Sequence, residues 1–186
     1  MIYDLPTTVE IDGEKYKIRN RCDYRIALDA IRALNDTALE ENERVYCAVV
    51  IFYEEYEKII ANEQIYQQAI LEMFKILNNG EESDENEPLS PKKMDWEQDF
   101  KLIAPPISRV LGYSVRSEKY THWYDFVGAY MEIGECLFAN IISIREKRMK
   151  GKKLDKVEQE FYSENRKLID LKTLTEDEIE WLNMMD

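Results

Sequence analysis

Apolar residues that recur every three or four positions cover most of this 186-residue chain, and they constrain its fold more than any other feature. In the stretch after Thr121, for example, the residues Trp123, Phe126, Val127 and Tyr130 fall on one face of a helix. This spacing is typical of an amphipathic helix packed against a core. Its repetition along the chain predicts a mainly α protein built as a multi-helix bundle.

Polar residues and prolines predict where these helices begin and end. The expected N-terminal caps are Asp23, Thr37 (with Glu40 as a capping box), Asp95, Thr121, and Thr175 (with Glu178 as a capping box). The apolar steps from Val45 to Ile60 predict one uninterrupted helix. Pro105 and Pro106 are expected to break the helix that follows Asp95, because proline lacks the N–H group that a helix interior uses.

The N-terminal segment has a different period. Two alternating segments flank Asp12-Gly13, a dipeptide that favours a tight turn with positive φ. The sequence therefore predicts a β-hairpin, with Val9 and Ile11 on one face of its first strand and Tyr16 and Ile18 on one face of its second. An isolated hairpin is marginally stable in water, so this one is expected to pack on helices.

An acidic run divides the helical patterns into two groups. Residues 81–87 contain five acidic side chains, and few apolar residues follow until Met94. Such a composition is typical of a solvated, flexible linker. The predicted organisation is an N-terminal region of hairpin and helices (1–79), a linker (80–93) and a C-terminal helical region (94–186).

The charge and the cysteines limit the function classes. With 25 basic and 38 acidic residues the net charge is −13, which repels nucleic acid. Cys22, Cys47 and Cys136 are far apart, as expected for reduced thiols, and form neither a disulfide pattern nor a zinc site. Neither a signal peptide nor a membrane span is apparent. We therefore expect a soluble protein of the cytoplasm.

No set of residues predicts catalysis. His122 is the only histidine, and its nearest acid on the same helix, Asp125, offers only a local hydrogen bond. The six glycines form no phosphate-binding loop. The sequence predicts no enzyme activity, no cofactor and no metal site, and it predicts a structural role for His122 at a helix N-terminus.

Two stretches of the chain resemble the bacteriophage gene-product-fifteen family. They are DWEQDFKLIAPPISRVLGY and the segment from YTHWYDFVGAYMEIG to VEQEFY, and the opening LPTTVEIDGEKYKI is similar as well. The residues that carry the resemblance are Asp95, Phe100, Ile103, His122, Trp123, Phe126, Ile144 and Arg145. Tyr124 departs from the family pattern, in which a second tryptophan often follows His-Trp.

The resemblance implies a place in the tail module of phages and prophages of Gram-positive bacteria. It implies a tail morphogenesis factor, either a tail assembly chaperone or a partner of one, that binds the tape-measure protein and other tail-assembly proteins. Such a protein is expected in the cytoplasm of the bacterial host and not in the mature virion. A helical adaptor and an acidic nucleic-acid mimic of the anti-restriction type stay open as alternatives.

Two segments are candidates for partner contact. Leu154, Val157, Phe161 and Leu168 repeat at near-heptad spacing, which is typical of a helix-to-helix seam, although these residues can equally complete the protein's own core. Trp181 lies on a short terminal segment. The basic residues that begin with Arg145 are interpreted as a helix end that complements the helix dipole.

Overall fold

A computed structural model describes residues 4–81, 93–117 and 119–172 of the chain. Within them a two-stranded antiparallel hairpin precedes eight α-helices, which confirms the predicted mainly α fold with an N-terminal hairpin. The elements are β1 (Thr8–Ile11), β2 (Glu14–Lys17), α1 (Tyr24–Leu34), α2 (Glu41–Phe52), α3 (Tyr56–Ile60), α4 (Glu63–Leu77), α5 (Trp96–Leu111), α6 (Trp123–Met131), α7 (Leu137–Met149) and α8 (Lys156–Ile169).

The hairpin has the predicted turn and the predicted buried face. Asp12 and Gly13 have φ values of 51° and 81°, as a tight hairpin turn requires, and Val9 pairs with Tyr16 across the strands. The four apolar residues that share the inner face are at most 5% exposed: Val9, Ile11, Tyr16 and Ile18. Strand β1 contacts α4, so the hairpin is stabilised by a helix as expected.

The predicted continuous helix from Val45 to Ile60 is wrong. Helix α2 ends at Phe52, and Tyr53 is extended (φ −101°, ψ 143°) and forms a β-bridge with Ile18. The Arg19 guanidinium donates hydrogen bonds to the carbonyl oxygens of Val50, Ile51 and Tyr53 at 3.0, 2.9 and 2.8 Å. A distant arginine thus satisfies carbonyl groups at the helix end that would otherwise lack partners.

The cap of α2 also differs from its prediction. The helix is capped by Glu40 and not by Thr37, and the Glu43 side chain accepts the Glu40 backbone N–H at 3.0 Å. The capping box therefore lies one turn later than predicted. The predicted cap of α1 is confirmed, because Asp23 accepts the Arg25 backbone N–H at 3.0 Å.

Helix α5 runs through Pro105 and Pro106, so the predicted break is wrong. The prolines cannot donate to the carbonyl groups one turn earlier, yet the helix continues. Ile103, Ala104 and Ile107 are at most 1% exposed, so apolar packing holds the helix on both sides of the prolines. Its predicted cap is confirmed, because Asp95 accepts the Gln98 backbone N–H at 2.8 Å.

The chain forms two compact units that interleave along the sequence. The larger unit comprises the described residues within Met1–Leu89 and Ala104–Ile133, and the smaller unit those within Ser90–Ile103 and Gly134–Asp186. Helix α5 contributes to both units. The predicted linker is mostly outside the described residues, which omit 82–92, so the division into 1–79, 80–93 and 94–186 stays a prediction.

Candidate functional site

His122 immediately precedes helix α6 as its N-cap and is fully buried. Its Nδ1 accepts the Tyr124 backbone N–H at 3.0 Å, so the side chain of His122, and not that of Thr121, caps the helix. Since Nδ1 accepts, Nε2 carries the proton and donates it to the Pro6 carbonyl oxygen at 3.0 Å. Both ring nitrogens are engaged, which leaves the imidazole no free nitrogen to act as a base or a metal ligand.

Residues 22–24 and 121–123 form a short antiparallel link in front of α6. The Tyr24 N–H donates to the Thr121 carbonyl oxygen, and the Trp123 N–H to that of Cys22, each at 2.9 Å. The Asp23 carboxylate accepts the Thr121 N–H at 3.1 Å while it caps α1. We call this set of residues (22–24 and 121–123) the His122 junction.

The backbone before the junction is in an unusual conformation. Asn20, Arg21 and Cys22 have φ values of 47°, 56° and 62°, in the left-handed region that residues other than glycine rarely adopt. The turn directs two carbonyl groups toward residues 120–123. The Arg21 carbonyl oxygen accepts a hydrogen bond from the Tyr120 hydroxyl at 2.8 Å, and the Cys22 carbonyl oxygen accepts one from the Trp123 backbone N–H. Such strain persists only where surrounding contacts determine the conformation.

Aromatic side chains complete the junction. The Trp123 indole N–H donates to the Leu77 carbonyl oxygen at the end of α4, at 3.1 Å. Phe126 stacks on Tyr24 with ring centroids 4.4 Å apart and on Trp123 at 5.8 Å. Trp123 and Phe126, which carry the family resemblance, therefore act together with residues of α1 and α4 in packing.

The smaller unit contains a second buried polar centre, the Arg145 clamp. Arg145 and Asp99 are 4% and 0% exposed, and they form a two-point ion pair with N–O distances of 2.6 and 2.9 Å. The guanidinium also donates to the carbonyl oxygens of Ile169, Leu168 and Lys93 at 2.6, 3.0 and 3.2 Å. Arg145 thus links α7 to α5 and to the end of α8.

The clamp corrects the interpretation of Arg145 as part of a basic helix end. It also shows a role for Asp99 that the sequence pattern does not predict. Arg145 is not part of a basic helix end, because it is buried and all its N–H groups have acceptors. The sequence pattern does not predict the role of Asp99, although this residue lies one turn before Ile103 on the buried face of α5. An acid on an apolar face is a signal for a buried basic partner.

The other residues of the family resemblance have structural positions. Asp95 caps α5, Phe100 is half-buried, and Ile103 and Ile144 are buried. Within the described residues, no group of three or more His, Cys, Asp or Glu side chains is placed to hold a metal ion. The absence of a cofactor and of enzyme activity stays a prediction.

The proposed partner-binding seam separates into two kinds of residue. Leu154, Phe161 and Leu168 pack against a cluster of Ile141, Ile144 and Ile169, so they complete the core of the smaller unit. Val157 is 75% exposed. Trp181, with the predicted capping box of Thr175 and Glu178, lies outside the described residues.

The three cysteines differ in their burial. All three are free, as predicted, and Cys22 is fully buried while Cys47 and Cys136 are half-buried. Burial raises the pKa of the Cys22 thiol to about 12, which keeps it protonated at neutral pH. Across the described ranges, no helix has both the length and the apolar character needed to cross a bilayer.

Charge is distributed unevenly over the two units. The described part of the larger unit has twelve basic and eighteen acidic side chains, whereas that of the smaller unit has twelve basic and ten acidic ones. Much of the net charge of −13 comes from residues outside the described ranges, among them five acids and no base in 173–186. The acids are therefore not spread evenly over the folded surface.

Comparison with known protein families identifies the family of this chain. A family model described as Bacteriophage Gp15 protein matches residues 1–171. No curated protein matches the chain, and no solved structure does. The matched range includes both the His122 junction and the Arg145 clamp. Because the match covers most of its length, the chain belongs to the Bacteriophage Gp15 protein family.

Proposed function

We propose that this protein is a phage tail morphogenesis factor, either a tail assembly chaperone or its partner, that binds the tape-measure protein without catalysing a reaction. The observation that carries the proposal is the match to a phage protein family over residues 1–171. The resemblance identified in the sequence adds the tail module as the expected gene context. The expected site of action is the cytoplasm of the bacterial host.

Two structural observations support a binding role. The family-resemblance residues His122, Trp123 and Arg145 are occupied by caps, backbone hydrogen bonds and an ion pair, which leaves them no apparent chemistry. Several large apolar side chains are exposed instead, including Leu71 at 69%, Met131 at 66% and Val157 at 75%. Exposed apolar residues on helices are suited to contact with a client helix.

The nucleic-acid mimic has weaker support. A mimic needs acids along an exposed face, and the described part of the smaller unit has more basic than acidic side chains. We propose protein partners and neither nucleic acid nor membrane as the ligand.

The test is co-expression of this protein with the tape-measure protein of the same phage or prophage. We expect the tape-measure protein to stay soluble and to co-purify with this protein, because exposed apolar helical surface is covered until the tail tube assembles. The controls are an empty vector and the neighbouring tail gene products alone. A tape-measure protein that aggregates equally in all cultures rejects the proposal.

Two further measurements test the proposed binding seam and the proposed absence of the protein from the virion. Val157→Asp adds a charge at an exposed position, so it tests the remaining part of the seam without unfolding the chain, whereas Phe161→Asp is expected to unfold the smaller unit. Mass spectrometry of purified virions tests the location. A tail assembly chaperone is expected in the cell lysate and not in the particles, and its recovery in stoichiometric amounts from particles contradicts that role.

A further inference from the structure

The larger unit contains an open groove of about 340 Å³ beside helix α6. Val110 and Leu111, at the end of α5, line the groove. Val110 is 41% exposed, so the groove presents apolar surface to solvent. Tyr124, Asp125, Gly128 and Glu132 of the α6 segment line it as well, and we call the whole the α6 groove.

Gly128 has no local reason to be glycine. It lies in the interior of α6 with ordinary helical backbone, and a Cβ added there meets no atom within 4 Å among the described residues. Glycine in a helix interior is less stable than alanine. Neither backbone conformation nor packing compensates for this loss, and the missing side chain leaves the helix backbone open to the groove.

Glu132 breaks a second local rule on the same face. It is the C-terminal cap of α6, at the negative end of the helix dipole, where a basic residue is favoured and an acidic one is not. No basic residue lies in the last turn of this helix. Asp125 and Glu132 lie two turns apart on the face that Gly128 shares, and neither forms an ion pair with the residues of the described ranges. The Arg109 guanidinium donates a hydrogen bond to the Ile133 carbonyl oxygen just beyond this cap, so a base lies near the helix end, whereas the cost of Gly128 has no such local compensation.

We propose that the α6 groove binds a helix of a partner protein that carries two basic side chains about two turns apart with small or apolar residues between them. Asp125 and Glu132 pair with the two bases. Gly128 allows the two helix backbones to approach closely, and Val110 and Leu111 contact the apolar residues. This is the helix-in-groove mode of recognition, with charge at both ends that fixes the register.

Charge argues against the chain's own segments as occupants. Residues 82–92 contain four acids and one base, and residues 173–186 contain five acids and no base. Both are repelled by a groove whose two carboxylates form no ion pair with the part of the chain that the structure describes. The net charge of −13 also steers basic partners toward the protein.

The identity of the natural partner as the tape-measure protein rests on the proposed function, whereas the chemistry of the groove does not. A synthetic probe therefore tests the groove on its own. The probe is a helical alanine–leucine peptide of about 20 residues with two lysines two turns apart, and its matched control has glutamates at the same positions.

The measurement is a titration of the full-length, isotopically labelled protein by nuclear magnetic resonance. We expect saturable shifts in residues 110–113 and 124–132 with the lysine peptide. The glutamate peptide is expected to bind at least about tenfold more weakly, and high salt is expected to weaken binding of the lysine peptide.

Three variants complete the design. Gly128→Leu fills the groove at a position without neighbours, so its Tm is expected to equal or exceed that of the wild type while lysine-peptide binding falls about tenfold or more. Gln159→Leu adds the same side chain to an exposed position of α8 and is expected to bind normally. Asp125→Asn with Glu132→Gln is expected to remove most of the salt dependence.

The outcomes separate this inference from the proposed function. Absence of saturable shifts, equal binding of the two peptides, or normal binding by Gly128→Leu overturns the inference. Shifts in these residues that depend on protein concentration without peptide assign the groove to a second copy and overturn it as well. Peptide binding without rescue of the tape-measure protein supports the α6 groove as a binding site and rejects the proposed function.

Discussion

The His122 junction and the Arg145 clamp satisfy the same requirement by different chemistry. Each places a fully or nearly buried side chain where it hydrogen-bonds backbone groups of distant segments. The junction uses a neutral imidazole that makes one donated and one accepted hydrogen bond. The clamp uses a charged guanidinium with a carboxylate beside it and three carbonyl oxygens around it.

The difference predicts how each region fails. Burying a neutral ring carries a smaller desolvation cost than burying a charge, so loss of His122 removes a helix cap and one bond to Pro6 but leaves no buried charge unpaired. A buried charge is tolerated only while its partner is present, and removal of one member leaves the other uncompensated. The smaller unit should therefore be the more sensitive of the two to a single substitution at its polar centre.

Arg145→Met should have the largest effect. It leaves the Asp99 carboxylate buried without a partner and three carbonyl groups without a donor, so we expect a loss of about 3–5 kcal/mol in the free energy of unfolding. Chemical denaturation measures it. Arg145→Met combined with Asp99→Leu should lose less than Arg145→Met alone, because no buried charge remains. A larger loss in the double variant contradicts the assignment of the effect to the charge.

His122→Ala should have a smaller effect, about 2 kcal/mol, because it removes one helix cap and one bond to Pro6. His122→Asn provides a side-chain oxygen as a cap, so its loss should be about 1 kcal/mol or less. Thermal unfolding of the two variants side by side measures the difference. If His122→Ala destabilises as strongly as Arg145→Met, the comparison between a neutral and a charged centre is wrong.

The two units should respond to pH in opposite directions. Burial raises the pKa of Cys22, Tyr24 and Tyr124 in the larger unit. The unfolded chain loses these protons first, so the stabilisation is fully present below the ordinary pKa values of 9.0 and 10.0 and is lost as pH rises from there through the raised pKa values of the folded state.

In the smaller unit the displaced carboxyl groups have lowered pKa values. A hydrogen bond from Lys147 lowers that of Glu158, and one from Lys93 lowers that of Glu146. Burial by itself raises the pKa of Asp170. The hydrogen bonds from Arg166, Arg148 and Tyr162 lower it by a larger amount, so the net pKa is lowered. This stabilisation is present above the ordinary values of 3.8 and 4.5 and is lost as pH falls below them.

Nuclear magnetic resonance spectra of the backbone amides, recorded across the pH range, test for each residue the predicted loss of stability in acid and in base. Signals of α7 and α8 should lose native dispersion first in acid, and those of α1 and α6 first in base. Simultaneous loss of both sets at each extreme contradicts the comparison.

The smallest effect concerns thiol labelling, which leaves stability unchanged. Cys136 of the smaller unit is half-buried and Cys22 of the larger unit is fully buried, with its pKa raised to about 12 by burial. A thiol reagent should modify Cys136 in the native protein and should reach Cys22 only when the His122 junction opens. Comparable rates of modification by the reagent at Cys22 and Cys136 imply that the His122 junction opens readily. Cys47→Ser removes the third thiol as a control.

Helix caps show how far local pattern reaches. The caps at Asp23 and Asp95 follow from the sequence, because each carboxylate immediately precedes a helix and meets backbone groups of its own first turn. The caps of α2 and α6 do not, since neighbouring polar residues compete and tertiary contacts choose among them. His122 caps α6 because its other nitrogen finds Pro6, a contact across 116 positions of sequence.

The sequence by itself determines the hairpin, its turn, the existence of most helices and the family resemblance, because each depends on spacing within a few residues. Tertiary structure alone decides that α2 ends at Phe52, that α5 continues through two prolines, and that Arg145 is buried beside Asp99. The physical reason is the same in all three cases. Arg19, the apolar residues around the prolines, and Asp99 supply their stabilisation through contacts between segments that are distant in sequence, and no local pattern encodes such contacts.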